Sequence, residues 1–150
     1  GRYRPMCVQV LRAALDAAGQ PLAWQQRIVT QSFLRGTAFE GMIRDGVDVT
    51  SVEGARGLPY AIPNVQVDLH NPTVGVPTLW WRSVGHSFNG YSTETFIDEL
   101  AAAGGRDPVE FRRALLADAP RHLAALNLAV ERAGPAPTGK GRGRGVAVHE

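Results

Sequence analysis

Cysteine is almost absent: Cys7 stands alone in 150 residues. One thiol excludes an internal disulfide and a cysteine-built metal cluster, and it fits a reducing compartment. Charge of one sign is also missing. Sixteen basic side chains against fourteen acidic ones leave a formal charge of +2, too weak a bias for a nucleic-acid or membrane-surface partner. The small basic excess is partly local, at Lys140, Arg142 and Arg144. No apolar run approaches the roughly 20 residues of a membrane span, and Gly1-Arg2-Tyr3-Arg4-Pro5 is followed by no signal-peptide core. The four histidines, His70, His86, His122 and His149, form no His-x-x-x-His pair, which argues against a protein-ligated zinc site. Of these, His122 is expected on a helix surface and His70 at a strand end.

What is present suffices for one domain with a core, over residues 1–150. Cys7–Asp16 and Leu22–Thr30 alternate imperfectly around the turn cluster Ala17-Ala18-Gly19-Gln20-Pro21, which reads as a β-hairpin. A helix rivals the alanine-rich first arm. Five glycines punctuate residues 34–60, where a short helix over Thr37–Arg44 is the only regular element suggested. Val65-Gln66-Val67-Asp68-Leu69-His70 is a period-2 strand, stopped at Asn71-Pro72.

After Tyr91 the period becomes helical. Thr93–Ala103 places Phe96, Ile97 and Leu100 inward and stops at Gly104-Gly105. Asp107-Pro108-Val109-Glu110 combines cap, first-turn proline and acidic third residue. Phe111, Leu115 and Leu116 supply that helix's buried stripe. A third helix from Pro120 buries Leu123, Leu126 and Val130 and ends at Gly134-Pro135. A flexible linker covers about 134–143, and a last strand begins near Gly145. The expected class is α+β: a small antiparallel sheet with a run of helices packed on one face.

Gly134-Pro135-Ala136-Pro137-Thr138-Gly139-Lys140-Gly141 nearly matches a phosphate-binding loop. It lacks the closing Ser or Thr and follows a helix rather than a strand, so a linker is the better account. The segment Pro77–Gly90 is more specific. Trp80 and Trp81 give it bulk able to anchor in a core. Ser83, Val84 and Gly85 are small enough for a ligand to approach the backbone. Ser83, Ser87 and Asn89 can hydrogen-bond, and Arg82 can grip an anion in bidentate fashion. The rival account is an ordered strand-to-helix connection with Arg82 in an internal ion pair, and residue types alone favour it.

Several stretches in order carry a family resemblance: Arg4-Pro5-Met6, Val52-Glu53-Gly54-Ala55, Leu58–Asn64, Trp81–Ser87, Phe96–Ala101, Asp107–Arg112 and Gly141–Ala147. Together they resemble the isoquinoline 1-oxidoreductase beta subunit and related aldehyde-oxidising large subunits, within the xanthine oxidase family of molybdenum hydroxylases. The resemblance implies an internal piece of a molybdopterin-binding domain. The family's central loop reads F-R-G-F-G-G-P-Q. Arg82 matches its arginine at the molybdenum side, Ser83 its first glycine, Val84 its substrate-flanking phenylalanine and Gly85 the next glycine. His86-Ser87 stands where the family has Gly-Pro. The resemblance thus implies cofactor contacts from Arg82, Ser83, Gly85, His86 and Ser87, and substrate contact from Val84, which is too small to stack on an aromatic ring. The family's substrate-side arginine before Tyr60 has no counterpart, and Glu53 is at best a neighbour of the pocket.

The resemblance further implies hydroxylation of an N-heteroaromatic compound or aldehyde with water as oxygen source. The cofactor would be molybdopterin, in its cytosine dinucleotide form. Electrons would leave through two-iron two-sulfur clusters of a small partner subunit. Relatives occur in the cytoplasm and as exported, membrane-associated enzymes. The base glutamate and a glycine-rich molybdenum loop are expected outside this chain, Glu150 not being that base, so the piece alone is expected to be inert. The competing class is a non-catalytic α+β binding or assembly module on the same scaffold.

Overall fold

The computed structural model describes residues 1–149; Glu150 lies outside them. Strand β1 (Cys7–Leu15) pairs antiparallel with β2 (Pro21–Thr30), so the hairpin prevails over the helical reading of the first arm. The turn is closed by Asp16, whose Oδ1 accepts from the amides of Ala18 and Gln20 at 2.8 Å each. Gly19 takes a φ of +72° there, a conformation that favours glycine. A bulge between Ala14 and Leu15 shifts the register at the turn.

Strand β3 (Asn64–His70) joins β2 in parallel, giving the order β1-β2-β3. The α+β class stands, but the sheet is mixed rather than antiparallel. A parallel neighbour needs a long crossover, and residues 31–63 provide it. Alternation identifies a strand without saying which way its partner runs. The crossover holds two 3-10 turns, Glu40–Met42 and Val49–Val52, in place of the short helix expected over Thr37–Arg44. Its organiser is Asp48, which is fully buried. The Asp48 carboxylate accepts from the hydroxyls of Ser32 and Thr50 at 2.5 Å each, and from the amides of Phe33, Leu34 and Thr50 at 2.8, 3.1 and 3.0 Å.

Helix α1 (His86–Ala103) crosses the inner face of the sheet. It starts seven residues earlier than the periodicity suggests, because its first turns carry polar rather than apolar side chains. Trp24 meets Phe96 edge-on, with ring centroids 5.0 Å apart. Helix α2 (Pro108–Leu115) is capped by Asp107, whose Oδ1 accepts from the amides of Val109 and Glu110. Glu110 does not complete a capping box; it pairs with Arg113. Helix α3 (Pro120–Ala133) buries Leu126, with Leu123 and Val130 packed beside it. Trp24, Ile97, Leu100, Phe111, Leu115 and Leu116 form the main core, while Ile28, Val52 and Ala55 form a second, smaller one.

The expected final strand does not form among the described residues. Residues 145–149 instead lie along α1, with Val148 buried and its amide donating to Glu94 Oε2 at 2.8 Å. The glycine-rich stretch before it returns on itself. The Arg144 guanidinium donates to the carbonyls of Ala133, Gly134 and Pro135 at 3.1, 2.7 and 2.6 Å. A cation there complements the unpaired carbonyls at the end of α3. His70 is exposed at the end of β3, whereas His122 is half-buried on α3, lining a groove with Val146–His149 rather than standing on an open surface.

Candidate functional site

The segment after β3 runs back along the N-terminus. Tyr3 bridges Thr78 in parallel, its amide donating to Pro77 O at 3.1 Å and its carbonyl accepting from Leu79 N at 3.2 Å. The chain then makes a tight turn at Arg82–Gly85 before entering α1. Two consecutive non-glycine residues of that turn have positive φ, Ser83 at 71° and Val84 at 40°. A β-branched residue there is a real outlier, strained by about 1–2 kcal/mol. Such strain persists only where the surroundings over-determine the backbone.

Those surroundings are specific. Gly85 is buried, and a Cβ on it would collide with the Thr50 carbonyl oxygen and come within 3.2 Å of Glu53 N and O. Its small size therefore serves the close approach of the protein's own crossover. One turn into α1, the fully buried Asn89 donates to Ser51 O at 3.1 Å and Glu53 O at 2.8 Å. Its Oδ1 accepts from Gln9 Nε2 at 2.9 Å, Gln9 Oε1 accepts from Gln26 Nε2 at 2.7 Å, and Gln26 Oε1 accepts from Trp24 Nε1 at 3.3 Å. This relay satisfies each amide it uses and pins the start of α1 to both sheet and crossover. Asn89, a ligand candidate by residue type, is spent on the scaffold.

The site candidates divide between two sides of this turn. Val84 and Ser87 line a cavity of about 510 Å³ shared with Arg4, Cys7, Phe33, Trp81 and Phe88. Arg82 and Ser83 are exposed at the turn's outer edge. Among the described residues the Arg82 guanidinium has no carboxylate partner, so the internal ion pair of the rival account does not form. His86 faces away from the cavity, with Nδ1 3.0 Å from Nε2 of His149. The His149 ring sits over Gly54 and Gly90, where any Cβ would come within 3 Å of it. Neither neighbouring tryptophan enters the core. Trp81 is half exposed, and Trp80 stacks at a tilt on Phe39, centroids 5.2 Å apart. The pair caps the turn instead of anchoring it inward.

Arg4 is the residue that sequence reasoning missed. Its guanidinium lies 5.4 Å above the Trp81 ring and donates from Nη1 to Ser87 Oγ at 2.6 Å. The available signal was the basic Arg2-Tyr3-Arg4-Pro5 start beside an aromatic turn, but nothing in the spacing joins residues 83 positions apart. Cys7 is a neutral wall of the cavity: burial pushes its thiol up, against opposing hydrogen bonds from Gln9 and Thr30, so it is no thiolate at neutral pH.

Behind the His86 side lies a buried ionic cluster also absent from the sequence reading. Arg112 is fully buried and donates from Nε to Glu94 Oε2 at 3.1 Å and from Nη1 to Asp98 Oδ1 at 2.5 Å. Tyr60 donates to the same Glu94 carboxylate at 2.9 Å. Burial, then the adjacent Glu94 charge, push the Tyr60 phenol far above its ordinary range. Burial alone would lower the Arg112 guanidinium, but the Asp98 hydrogen bond and the nearby Tyr60 and Glu94 raise it instead.

Comparisons with known proteins follow the same outline. No family model matches the chain. A subunit of the nicotinate dehydrogenase of Pseudomonas putida is 39% identical over 75 residues, half of this chain and 6% of that protein. Quinoline 2-oxidoreductase of Pseudomonas putida 86 shares the fold over 88% of the chain and 18% of its own, with TM-score 0.68 and 21% identity. Aldehyde oxidoreductases of Desulfovibrio gigas and Desulfovibrio desulfuricans share it over 74% and 75% of the chain, each with TM-score 0.54, at 23% and 24% identity. The chain spans only 12% of each of those two. The chain is thus similar in sequence over half its length to a nicotinate dehydrogenase subunit, and over most of its length it shares the fold of part of quinoline 2-oxidoreductase.

Proposed function

We propose that this chain forms one wall of the molybdopterin site in a molybdenum hydroxylase, an oxidoreductase acting on an N-heteroaromatic compound or an aldehyde with water as oxygen source. The observation that carries the reading is the Arg82–Gly85 turn: strained at Ser83 and Val84, locked from behind by Gly85 and Asn89, and edged by a cavity. Strain held in place by a rigid scaffold is a mark of functional sites.

The donor set fits an anionic, phosphate-bearing cofactor. The polar side chains around the turn are guanidinium and hydroxyl groups, from Arg4, Arg82, Ser83 and Ser87, and no carboxylate lines the cavity. Guanidinium and hydroxyl donors suit phosphate and pterin oxygens. Arg82, Ser83 and Ser87 would hold the cofactor, with Arg82 toward the metal. Gly85 and His86 would contribute by placing the backbone of the turn, and Val84 would flank substrate. When bound, molybdopterin supplies the two-electron redox chemistry. What the chain's own residues do is position donors and exclude water.

The remaining parts of the site would come from other segments of the same large subunit, including a base glutamate and a glycine-rich loop. A small two-iron two-sulfur subunit would take the electrons, and the cytosine dinucleotide form of the cofactor is the one the resemblance favours. On this reading residues 1–150 alone are catalytically inert. The test is turnover of an aldehyde or N-heteroaromatic compound by the intact enzyme in water enriched in heavy oxygen. The label is expected in the hydroxylated product; product oxygen drawn from dissolved dioxygen would contradict the assignment.

A further inference from the structure

One imidazole is held more closely than the packing of a chain segment requires. His149 projects its ring into a slot between Gly54 of the crossover and Gly90 of α1. A Cβ at Gly54 would come 2.8 Å from His149 Cε1 and 2.9 Å from its Nε2, and a Cβ at Gly90 would come 2.9 Å from its Cδ2 and its Nε2. The third side of the slot is His86, whose Nδ1 lies 3.0 Å from that same Nε2. The two rings meet edge-on, at 65° with 5.0 Å between centroids. Gly90 lies inside α1, where alanine is favoured over glycine, so the bare position serves the ring and not the helix. Docking of the segment does not need the ring either. Val148 is already buried, with its amide donating to Glu94 Oε2 at 2.8 Å.

His86 is the first residue of α1 and follows Gly85 directly. In a hydrogen bond between two imidazoles, one nitrogen carries the proton and the other offers a lone pair. The contact therefore fixes both the orientation of the His86 ring and its tautomer, as an outer partner does for a ligating histidine. Gly85 and Asn89 hold the turn against the crossover. His149 holds the residue that follows Gly85, from 63 positions away. We infer that His149 is a positioning residue of the Arg82–Gly85 turn: it fixes the ring and tautomer of His86 and, through it, the backbone path from the turn into α1. The inference rests on the proposed function only for what the turn holds.

The test uses the intact enzyme with His149→Gly, His149→Gln and Gly90→Ala. Hydrogen exchange at the amides of residues 82–90 is read beside melting temperature and pterin content. His149→Gly is expected to speed exchange there about 3- to 10-fold, the size of one lost hydrogen bond. His149 stays exposed, so free imidazole can enter the emptied slot. Imidazole should restore the protection saturably in His149→Gly and change nothing in the parent. His149→Gln, which keeps a polar nitrogen on a side chain, should fall between. Gly90→Ala keeps the histidine but fills its slot, and the added methyl group meets the His149 side chain rather than backbone. Exchange at the turn should then rise while the melting temperature holds or increases, since alanine favours the helix. Unchanged exchange in His149→Gly or in Gly90→Ala overturns the inference. So does faster exchange that only accompanies a general loss of stability and that imidazole does not reverse, which assigns His149 to packing alone. Pterin content is expected to fall with the protection. Pterin fully retained beside a freely exchanging turn, or imidazole rescue in an enzyme that contains no molybdenum, would sink the proposed function and leave this inference standing.

Discussion

Three adjacent residues of the turn should respond to substitution in different ways. Ser83 adopts a φ of 71° that a side chain resists. Ser83→Gly removes that resistance, worth about 1–2 kcal/mol, against a smaller entropic cost of roughly 0.5–1 kcal/mol. The expected outcome is a melting temperature equal to or above the parent's. Gly85→Ala should do the opposite. Its methyl group meets the backbone of Thr50 and Glu53, neither of which can swing aside, and overpacking of this kind costs about 1–3 kcal/mol. Chemical denaturation of the two variants side by side checks both signs, and a neutral Gly85→Ala would mean the crossover is not pinned there. Val84 is the residue at which strain and cavity meet, since it is both left-handed and part of the lining. The sequence marked Ser83–Gly85 as small, but smallness has two uses, room for a ligand and room for the protein's own backbone. Only coordinates separate them: Gly85 serves the second, while Val84 borders open space.

Between elements, two titratable groups are shifted in opposite directions by burial and hydrogen bonding, Tyr60 and Asp48. Glu94 of α1 is satisfied by Tyr60, Arg112 and the Val148 amide, so it ties α2 and the C-terminal segment to α1. Arg112→Ala would leave that carboxylate buried and unpaired, a loss of about 3–5 kcal/mol, measurable as a shift in the urea midpoint. The same cluster keeps Tyr60 protonated. Its pKa is raised in the fold, so its stabilising contribution is present below the ordinary phenol pKa and is lost as pH rises through the higher folded value. Tyr60 should show no phenolate absorbance at about pH 11, above the ordinary phenol pKa; a difference spectrum between parent and Tyr60→Phe that reveals its phenolate there would contradict the buried network.

Asp48 has the reverse sign. Burial opposes its charge, but hydrogen bonds from Ser32, Thr50 and the backbone outweigh it and hold the carboxyl below the usual range. Its contribution is present above about pH 4, the unfolded value, and disappears as pH falls through the lower folded one. The stability gap between parent and Asp48→Asn should therefore close in acid. The hairpin, the period-2 strand and the Asp107 cap were all legible because each rests on neighbours in sequence. The parallel pairing of β3, the Asp48 knot and the Glu94–Arg112 cluster were not, because each joins residues that no local pattern relates.

For the whole molecule, the fold comes from a mixed three-stranded sheet covered on one side by α1, with α2 and α3 packed beyond it. The Trp24–Gln26–Gln9–Asn89 relay fixes the turn against that sheet. Half of the chain is 39% identical to a dehydrogenase subunit of which it spans 6%, and the proposed role is one that only a whole subunit of that kind would carry. Arg82, Ser83 and Ser87 have a role only if a cofactor comes to lie against them. The direct measurement is the molybdenum and pterin content of the intact, purified enzyme. The account predicts one molybdenum and one pterin per large subunit, with the metal lost when the Arg82–Gly85 turn is replaced by a glycine linker of the same length. An intact enzyme free of molybdenum, or one that keeps its full complement without that turn, would contradict it.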